Sequence, residues 1–361
     1  MYVLGRDGDP TAGPTVHLGE FLARDGSTGA AVGVDADRPH AAVVVGKRGA
    51  GKSYTLGVIA EGLADAPGVA PVIVDPMGVF GGLEALGGDV IAPQVRPATL
   101  PPAVWPDLLG LDPAGAPGGL LWRVVAETVD RRAGPASIAA FRDRLSEMDA
   151  PEETRRVVRN HLDLAASWGV FDPAAPPVTE LLGGDPTVID LAGTPEVAAG
   201  AVVSSLARGL YDACVEGDAP RLPWLLIDEA HAYFGGIADP ALRTVLTRGR
   251  APGVSLVCAT QRPEALPPVA ISQSDLIVAH RLTAERDVDR LREAEATYLD
   301  GSLAARLPEG VGEALVVDDA TEEAHTVRVR ERRTPHGGSS PRASEVEAST
   351  VSDRRSSTAT R

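Results

Sequence analysis

Short apolar runs alternate with segments of helical periodicity along most of the chain. The run at 41–45 is wholly apolar and leads into a glycine-rich loop, after which 53–63 carries its apolar residues at helical spacing. The remaining runs predict helices at 195–215 and 240–248 and strands at 71–75, 187–191, 224–228, 254–260 and 276–280. Because strands and helices alternate, the pattern predicts an α/β fold whose mainly parallel sheet carries helices on both faces.

Three regions depart from this alternation and define the predicted domain limits. Residues 100–175 are expected to form a helical insertion, because amphipathic stretches lie between Pro and Gly breaks at 120–131, 138–148 and 152–168. Residues 1–40 are rich in Gly, Asp and Thr and are expected to form a short N-terminal β segment. Residues 333–361 have few apolar side chains to bury, so we expect a disordered tail and a main domain over 41–332.

The composition indicates a protein with a sizeable core in a reducing compartment. The chain has 361 residues, 44% of them apolar, and no apolar run reaches the roughly 18 residues that a membrane helix needs. The N-terminus lacks the layout of a signal peptide. Cys214 and Cys258 are the only cysteines, too few for a disulfide framework or a zinc cluster. We therefore expect a soluble, cytoplasmic protein.

The charged residues are strongly biased. The formal net charge is −16, and Lys47 and Lys52 are the only lysines among 34 basic residues. An acidic, lysine-poor composition suggests a halophilic source, where salt screens the repulsion between surface acids. Such a charge does not favour nucleic acid as a partner, although it leaves room for a locally basic channel.

The glycine-rich loop carries the strongest chemical signal. Residues 46–53 match the pattern G-x-x-x-x-G-K-[ST] in full, between a predicted strand and a predicted helix, which favours a phosphate-binding P-loop over a chance glycine turn. Backbone N–H groups and the helix dipole are expected to hold the phosphates. Lys52 is expected to reach the β and γ phosphates, and the Ser53 hydroxyl to ligate Mg²⁺. The predicted nucleotide-binding residues are Gly46, Lys47, Arg48, Gly49, Ala50, Gly51, Lys52, Ser53 and Tyr54.

A pair of acids provides the second signal. The apolar run at 224–227 ends in Asp228 and Glu229, at the sheet edge where open α/β proteins bind their ligands. Asp228 is expected to hold Mg²⁺, partly through water, and Glu229 to polarise an attacking water molecule. The alternative is a strand end with two solvated acids. The second acid favours hydrolysis over transfer of a phosphate to a small molecule.

Two further candidates follow the acid pair. Gln261 ends the next predicted strand, where its amide is suited to sense the γ-phosphate; the alternative is a turn-capping residue. Arginines at 243, 248 and 250 cluster before that strand, and an arginine supplied by a neighbouring subunit stabilises a phosphoryl transition state. Arg250 is the first choice and Arg248 the second, against the alternative of solvated surface arginines.

Several other polar residues admit two interpretations. Asp75 ends a predicted strand in the sequence Asp-Pro-Met-Gly, where it is either an acid near the magnesium or the start of an Asp-Pro turn. Asp190 ends another strand and is expected to cap or turn the chain. The histidines His161, His231 and His280 lack metal-ligand spacing, so we expect core or surface positions for them.

Together these motifs resemble the HerA/FtsK branch of the additional-strand P-loop ATPases, and most closely the archaeal HerA-like ATPases. The resemblance covers 38–330. The matching stretches are GKRGAGKSYTLGVIAEGL (46–63), VIVDPMGVF (72–80), TVIDLAG (187–193), LLIDEAH (225–231), TRGRAPGVSLVCATQRP (247–263) and SQSDLIVAHRLT (272–283).

The resemblance implies a RecA-like fold and a hexameric ring that hydrolyses ATP with Mg²⁺ and translocates double-stranded DNA, with helicase-like activity in some members. It assigns Lys52 and Ser53 to phosphate and magnesium, and Asp228 to the Walker B acid. It further implies Glu229 as catalytic base, Gln261 as sensor and Arg250 as the arginine acting in trans.

Two departures from the family pattern are visible. Val79 stands where the family often has an acidic residue after the glycine of its DxxGE segment. Only residues 1–40 precede the first buried strand, so the N-terminal β-barrel of HerA proteins is expected to be a truncated remnant, which argues against docking of a nuclease partner. The alternatives to a DNA motor are an ATPase acting on protein, as in secretion or pilus systems, and a nucleotide-gated scaffold. The intact Lys52, Asp228 and Glu229 set weighs against the scaffold.

Overall fold

The computed structural model describes residues 1–6, 8–9, 11–130, 136–292 and 306–338. The strands of these residues are β1 (Tyr2–Leu4), β2 (Thr15–Leu22), β3 (Thr28–Asp35), β4 (Ala41–Val45), β5 (Val69–Asp75), β6 (Asp89–Ile91), β7 (Thr187–Asp190), β8 (Leu222–Ile227), β9 (Ser255–Thr260), β10 (Leu276–Ala279), β11 (Glu313–Asp318) and β12 (Glu323–Val329). They form one twelve-stranded sheet in the order β1-β3-β2-β12-β11-β10-β4-β9-β8-β5-β7-β6.

The helices within the described residues surround this sheet. Their bounds are α1 (Lys52–Ala64), α2 (Trp105–Leu108), α3 (Ala116–Asp130), α4 (Ile138–Glu147), α5 (Glu152–Ser167), α6 (Glu196–Glu216), α7 (Asp239–Arg248), α8 (Pro268–Ser272) and α9 (Glu285–Arg292). Among the helices of the described ranges, none combines the length and the apolarity that crossing a membrane requires.

The parallel half of the sheet contains every strand of the predicted alternation. From β10 through β4, β9, β8, β5 and β7 to β6, each strand pairs in parallel with the next. All five positions of β4 are buried because helices cover both faces: Val44 packs in a cluster with Leu56 of α1, and Val45 in a second cluster with Val203 of α6. The predicted α/β fold is therefore confirmed, and the carboxyl ends of these strands meet at one edge.

The predicted helical stretches between 100 and 175 are present as α3, α4 and α5. With α2 they enclose a separate apolar cluster around Trp105 and Phe141, whose ring centroids lie 5.1 Å apart. Amphipathic spacing predicted these helices because each buries one face against the others. The end of the predicted 120–131 stretch lies outside the described residues, which resume at 136.

The N-terminal strands differ from the separate β segment predicted for 1–40. β2 pairs antiparallel with β12, and the β11–β12 hairpin pairs in turn with β10, so β1 to β3 extend the main sheet. The sequence pattern did not predict β11 or β12, and without them the N-terminal strands had no visible neighbour. The physical reason is the open edge of the hairpin, whose backbone hydrogen-bonding groups β2 satisfies.

The predicted disordered tail also begins too early. Arg333 donates its backbone N–H to the Glu61 carboxylate at 3.0 Å, and Thr334 is buried against α1. The carboxylate of Glu61, a buried acid on α1, accepts hydrogen bonds from this segment. A count of apolar residues does not reveal such hydrogen bonds. The remainder of the predicted tail, 339–361, lies outside the described residues.

Candidate nucleotide-binding site

The glycine-rich loop joins β4 to α1 at the carboxyl edge of the sheet. Gly49 and Gly51 have φ angles of 77° and 116°, which side chains strongly disfavour. At Gly46 a Cβ atom would lie 2.7 Å from the Cβ of His280. The loop therefore needs its glycines, and it exposes backbone N–H groups ahead of the α1 N-terminus, as an anion site requires.

Lys52 lies at the start of α1 with its side chain largely buried, at 6% exposure. Its Nζ donates to the Lys47 carbonyl at 3.3 Å, so the ammonium group is held over the loop. Burial lowers the pKa of Lys52, while the nearby Glu229 and Asp228 oppose that shift. The cation thus lies between the loop and the two acids, where a phosphate group needs it.

Ser53 and Asp228 are brought together as the sequence predicts. The Ser53 hydroxyl donates to Asp228 Oδ2 at 2.6 Å, and Asp228 is only 1% exposed. Burial raises the pKa of Asp228, whereas the hydrogen bonds from Ser53 and from the Glu229 N–H lower it.

These two oxygen donors fit Mg²⁺. This ion prefers oxygen ligands and is commonly held by one or two carboxylates together with substrate phosphates. Among the described residues no group of three His, Cys, Asp or Glu side chains is arranged to hold a metal alone. The chain accordingly offers part of a coordination shell that a bound nucleotide would complete.

Glu229 has an unusual backbone conformation for a residue other than glycine. Its φ is 48°, and its N–H donates to Asp228 Oδ1 at 2.9 Å. Such conformations cost energy and cluster at functional sites. Its Oε2 atom is buried and makes no hydrogen bond. That oxygen is suited to accept a hydrogen bond from a water molecule.

The His231 ring lies beside the Glu229 carboxylate. Its Nδ1 lies 3.4 Å from Glu229 Oε2, without hydrogen-bond geometry, and 3.1 Å from Thr260 Oγ1. Burial and then the charge of Arg262 lower the pKa of His231, which favours the neutral ring. His231 therefore connects the acid turn to the end of β9, a role that its sequence position alone did not indicate.

Gln261 follows β9 directly, and β9 lies between β4 and β8 in the sheet. The residue thus lies at the carboxyl edge, on the strand between those that lead into the P-loop and Asp228. Its action as a γ-phosphate sensor stays a prediction.

Asp75 follows the turn interpretation instead of the magnesium interpretation. Its Oδ1 accepts the Met77 N–H at 3.2 Å and its Oδ2 accepts the Phe80 N–H at 2.8 Å. Burial raises the pKa of Asp75, and backbone hydrogen bonds from this turn oppose the rise. Because both oxygens hold the turn, the expectation of Asp75 as a metal ligand is not supported by the geometry.

Arg250 lies at the opposite edge of the sheet from its own P-loop. Its Nη2 is 3.3 Å from Asp275 Oδ2 and donates to the Gln273 carbonyl at 3.3 Å, just before β10 begins. The side chain is 53% exposed, and Arg248, at the end of α7, is also exposed. Arg250 is thus held away from the P-loop of its own chain, and action in trans stays a prediction for either arginine.

His280 is a buried residue behind the P-loop that the sequence assigned no role. Its Nδ1 donates to the Glu313 carbonyl at 2.8 Å, and its Nε2 accepts from the Thr55 hydroxyl at 2.9 Å. Burial lowers the pKa of His280 to about 4. Of the two expected positions, core or surface, His280 occupies the core, and the neutral ring ties α1 to β11. Its position at the end of β10, beside β4, was the available signal.

The fold and this constellation define a RecA-like P-loop NTPase. Residues 16–210, more than half of the chain, match the family described as the central domain of helicase HerA (DUF87). The protein belongs to this HerA central-domain family, within the HerA/FtsK type of P-loop NTPases. No curated protein matches the chain significantly.

Solved structures share the fold. VirB4 of Thermoanaerobacter pseudethanolicus is 19% identical with a TM-score of 0.69, over 91% of this chain and 99% of that one. The bacterial conjugative coupling protein TrwBΔN70, in its trigonal form with sulphate, is 17% identical with a TM-score of 0.58, over 91% of this chain and 99% of that one. At these identities the likeness extends to the fold alone, and it confirms the RecA-like architecture.

Proposed function

We propose that this protein is a Mg²⁺-dependent ATPase that works as a hexameric ring in the cytoplasm and translocates double-stranded DNA. The observation that carries the ATPase part is the contact of Ser53 with Asp228, next to the Glu229 Oε2 that makes no hydrogen bond and to the buried Lys52. Membership in the HerA central-domain family supports the DNA substrate.

The residues divide the work between binding and chemistry. The P-loop amides, the α1 dipole and Lys52 hold the phosphates. Ser53 and Asp228 hold the metal ion, which when bound neutralises charge on the phosphate oxygens. Glu229 orients a water molecule and accepts its proton as the general base, and Gln261 contacts the γ-phosphate.

A protein substrate is the second candidate, favoured by the net charge of −16. A uniformly acidic surface repels the DNA backbone, so a DNA motor of this composition needs a basic channel, which would lie within the assembled ring.

Stimulation of ATP hydrolysis by duplex DNA tests the substrate. Phosphate release is measured at high KCl, with and without linear duplex, and with heparin as a polyanion control. We expect several-fold stimulation by duplex that weakens as salt rises, because phosphate contacts release counterions. Basal hydrolysis without any response to duplex would contradict the DNA substrate and leave the ATPase intact. Absence of hydrolysis under all conditions would contradict the ATPase itself.

A further inference from the structure

Glu61 is a fully buried acid on α1 that the proposed mechanism does not use. Its carboxylate accepts hydrogen bonds from Arg330 Nη1 at 2.7 Å, from the Thr334 N–H at 2.9 Å and from the Thr334 hydroxyl at 2.7 Å. Burial raises the pKa of Glu61, but these donors and the Arg333 N–H outweigh it and bring the pKa to about 2. The acid is therefore a charged anchor for residues 330–338, which we call the strap.

The strap crosses α1 at Tyr54 and Gly57, in the first turns after the P-loop. Arg332 donates its backbone N–H to the Tyr54 hydroxyl at 2.6 Å. A Cβ at Gly57 would lie 2.5 Å from Arg332 Cζ, so glycine permits the close approach. The Arg332 guanidinium donates onward to Thr334 Oγ1 at 2.8 Å and to His336 Nδ1 at 3.1 Å.

The far end of the strap contacts the turn that follows β5. The Gly337 N–H donates to the Val79 carbonyl at 3.4 Å, and the Arg332 guanidinium lies 5.9 Å from the centroid of the Phe80 ring. A Cβ at Gly82 would collide with the Pro335 carbonyl. Asp75 holds this same turn from inside the sheet.

The strap thus joins α1, which carries Ser53, to the turn after β5, the strand that pairs with β8. Ser53 stands at the start of α1, and Asp228 follows β8, the neighbour of β5. The His336 ring packs edge-on against Tyr54, with centroids 5.7 Å apart. The Asp228 N–H donates to the Val74 carbonyl of β5 at 3.3 Å, so Asp228 is held against β5. Movement of α1 relative to β5 would therefore alter the distance between Ser53 and Asp228, and the strap links these two elements.

We propose that the strap positions the Ser53–Asp228 pair for Mg²⁺, and that Glu61 is the positioning residue that anchors it. The proposal rests on the proposed nucleotide-binding function. Residues that hold metal ligands in position without contacting the metal typically contribute about 10–100-fold to metal affinity. Loss of the anchor should therefore weaken the contribution of Mg²⁺ to nucleotide binding and leave binding without metal comparable to wild type.

Calorimetric titration of the full chain with ATPγS, in Mg²⁺ and in EDTA, tests this proposal without using turnover. The dissociation constant in EDTA divided by the dissociation constant in Mg²⁺ is the ratio that reports the contribution of the metal. For Glu61→Gln we expect this ratio to fall about 10-fold relative to wild type. For Thr334→Val, which removes one donor to Glu61, we expect a smaller fall in the same ratio.

Asp35→Asn is the matched control. Asp35 is equally buried and pairs with Arg6 at the β1–β3 end of the sheet, several strands from β8, which precedes Asp228. We expect Asp35→Asn to keep the wild-type ratio of dissociation constants. This should hold even if the substitution lowers the melting temperature as much as Glu61→Gln does.

The outcomes separate the two proposals. If Glu61→Gln folds and keeps the wild-type ratio of dissociation constants, the strap proposal is overturned. It is also overturned if Asp35→Asn lowers that ratio as much as Glu61→Gln does. If Glu61→Gln does not fold, Thr334→Val decides, and an unchanged ratio there overturns the proposal. Wild-type protein that binds no nucleotide overturns the proposed function itself, and with it the role of the strap.

Discussion

Glu229→Gln is expected to bind ATP as wild type does and to hydrolyse it about 10²–10⁴-fold more slowly, the range typical of losing a general base. The amide keeps the size and polarity of the side chain but cannot accept a proton or orient water as a carboxylate does. Glu229 is suited to this task because its Oε2 is buried without a hydrogen bond, beside His231, whose pKa is lowered by burial. Single-turnover phosphate release, measured alongside calorimetric ATP binding, separates the two effects.

Glu196→Gln provides the control for this substitution. Glu196 begins α6 at the same edge of the sheet, is exposed, and has no place in the candidate site. We expect its turnover to match wild type. Near-normal turnover in Glu229→Gln would mean that another residue positions the water, and the role assigned to Glu229 would be wrong.

Arg250→Ala is expected to lose about 10³–10⁵ in hydrolysis rate, the effect of removing an arginine that acts on phosphoryl transfer, while ATP binding stays near normal. The physical reason is position: Asp275 and the Gln273 carbonyl hold the guanidinium at the edge opposite its own P-loop. From there any role in hydrolysis would require the ATP site of a neighbouring subunit. Wild-type specific activity should therefore fall on dilution as subunits dissociate.

Arg243→Ala is the matched control for Arg250. Arg243 pairs with Asp239 one helical turn away at 2.6 Å, and exposed pairs of this kind contribute about 0–1 kcal/mol. It should hydrolyse ATP as wild type does. Mixing Arg250→Ala with Glu229→Gln should restore partial activity, because some interfaces then combine an intact Glu229 with an intact Arg250. Activity that stays flat on dilution, in a protein that light scattering shows to be monomeric, would contradict action in trans.

The parallel half of the fold was predictable because its signals are local. β4 was predicted over its full length, since a strand buried on both faces has to be apolar at every position. The P-loop and the Asp228–Glu229 pair were predictable for a related reason: each lies at the end of such a strand, and parallel strands bring their carboxyl ends together.

The features that escaped prediction depend on partners distant in sequence. Arg330 is 269 residues from Glu61, so neither residue marks the other in the sequence. Asp75 had two interpretations in the sequence, an acid near the magnesium or the start of a turn, and its oxygens accept from the amides two and five residues further on, in line with the turn. The sequence pattern predicted neither β11 nor β12. Without β12, which pairs with β2, nothing in the sequence indicated that the N-terminal strands join the main sheet.

The central claim is that residues 46–53 bind ATP phosphates through Lys52, and calorimetric titration of Mg²⁺-ATP into wild type, Lys52→Ala and Lys47→Ala tests it most directly. Lys47 is the only other lysine of the chain, and it contacts Lys52 through its backbone carbonyl, which alanine retains. We predict saturable binding by wild type and Lys47→Ala, and no measurable binding by Lys52→Ala in a protein that remains folded by circular dichroism. Equal ATP affinity in wild type and Lys52→Ala would contradict the assignment of this loop as the phosphate-binding site.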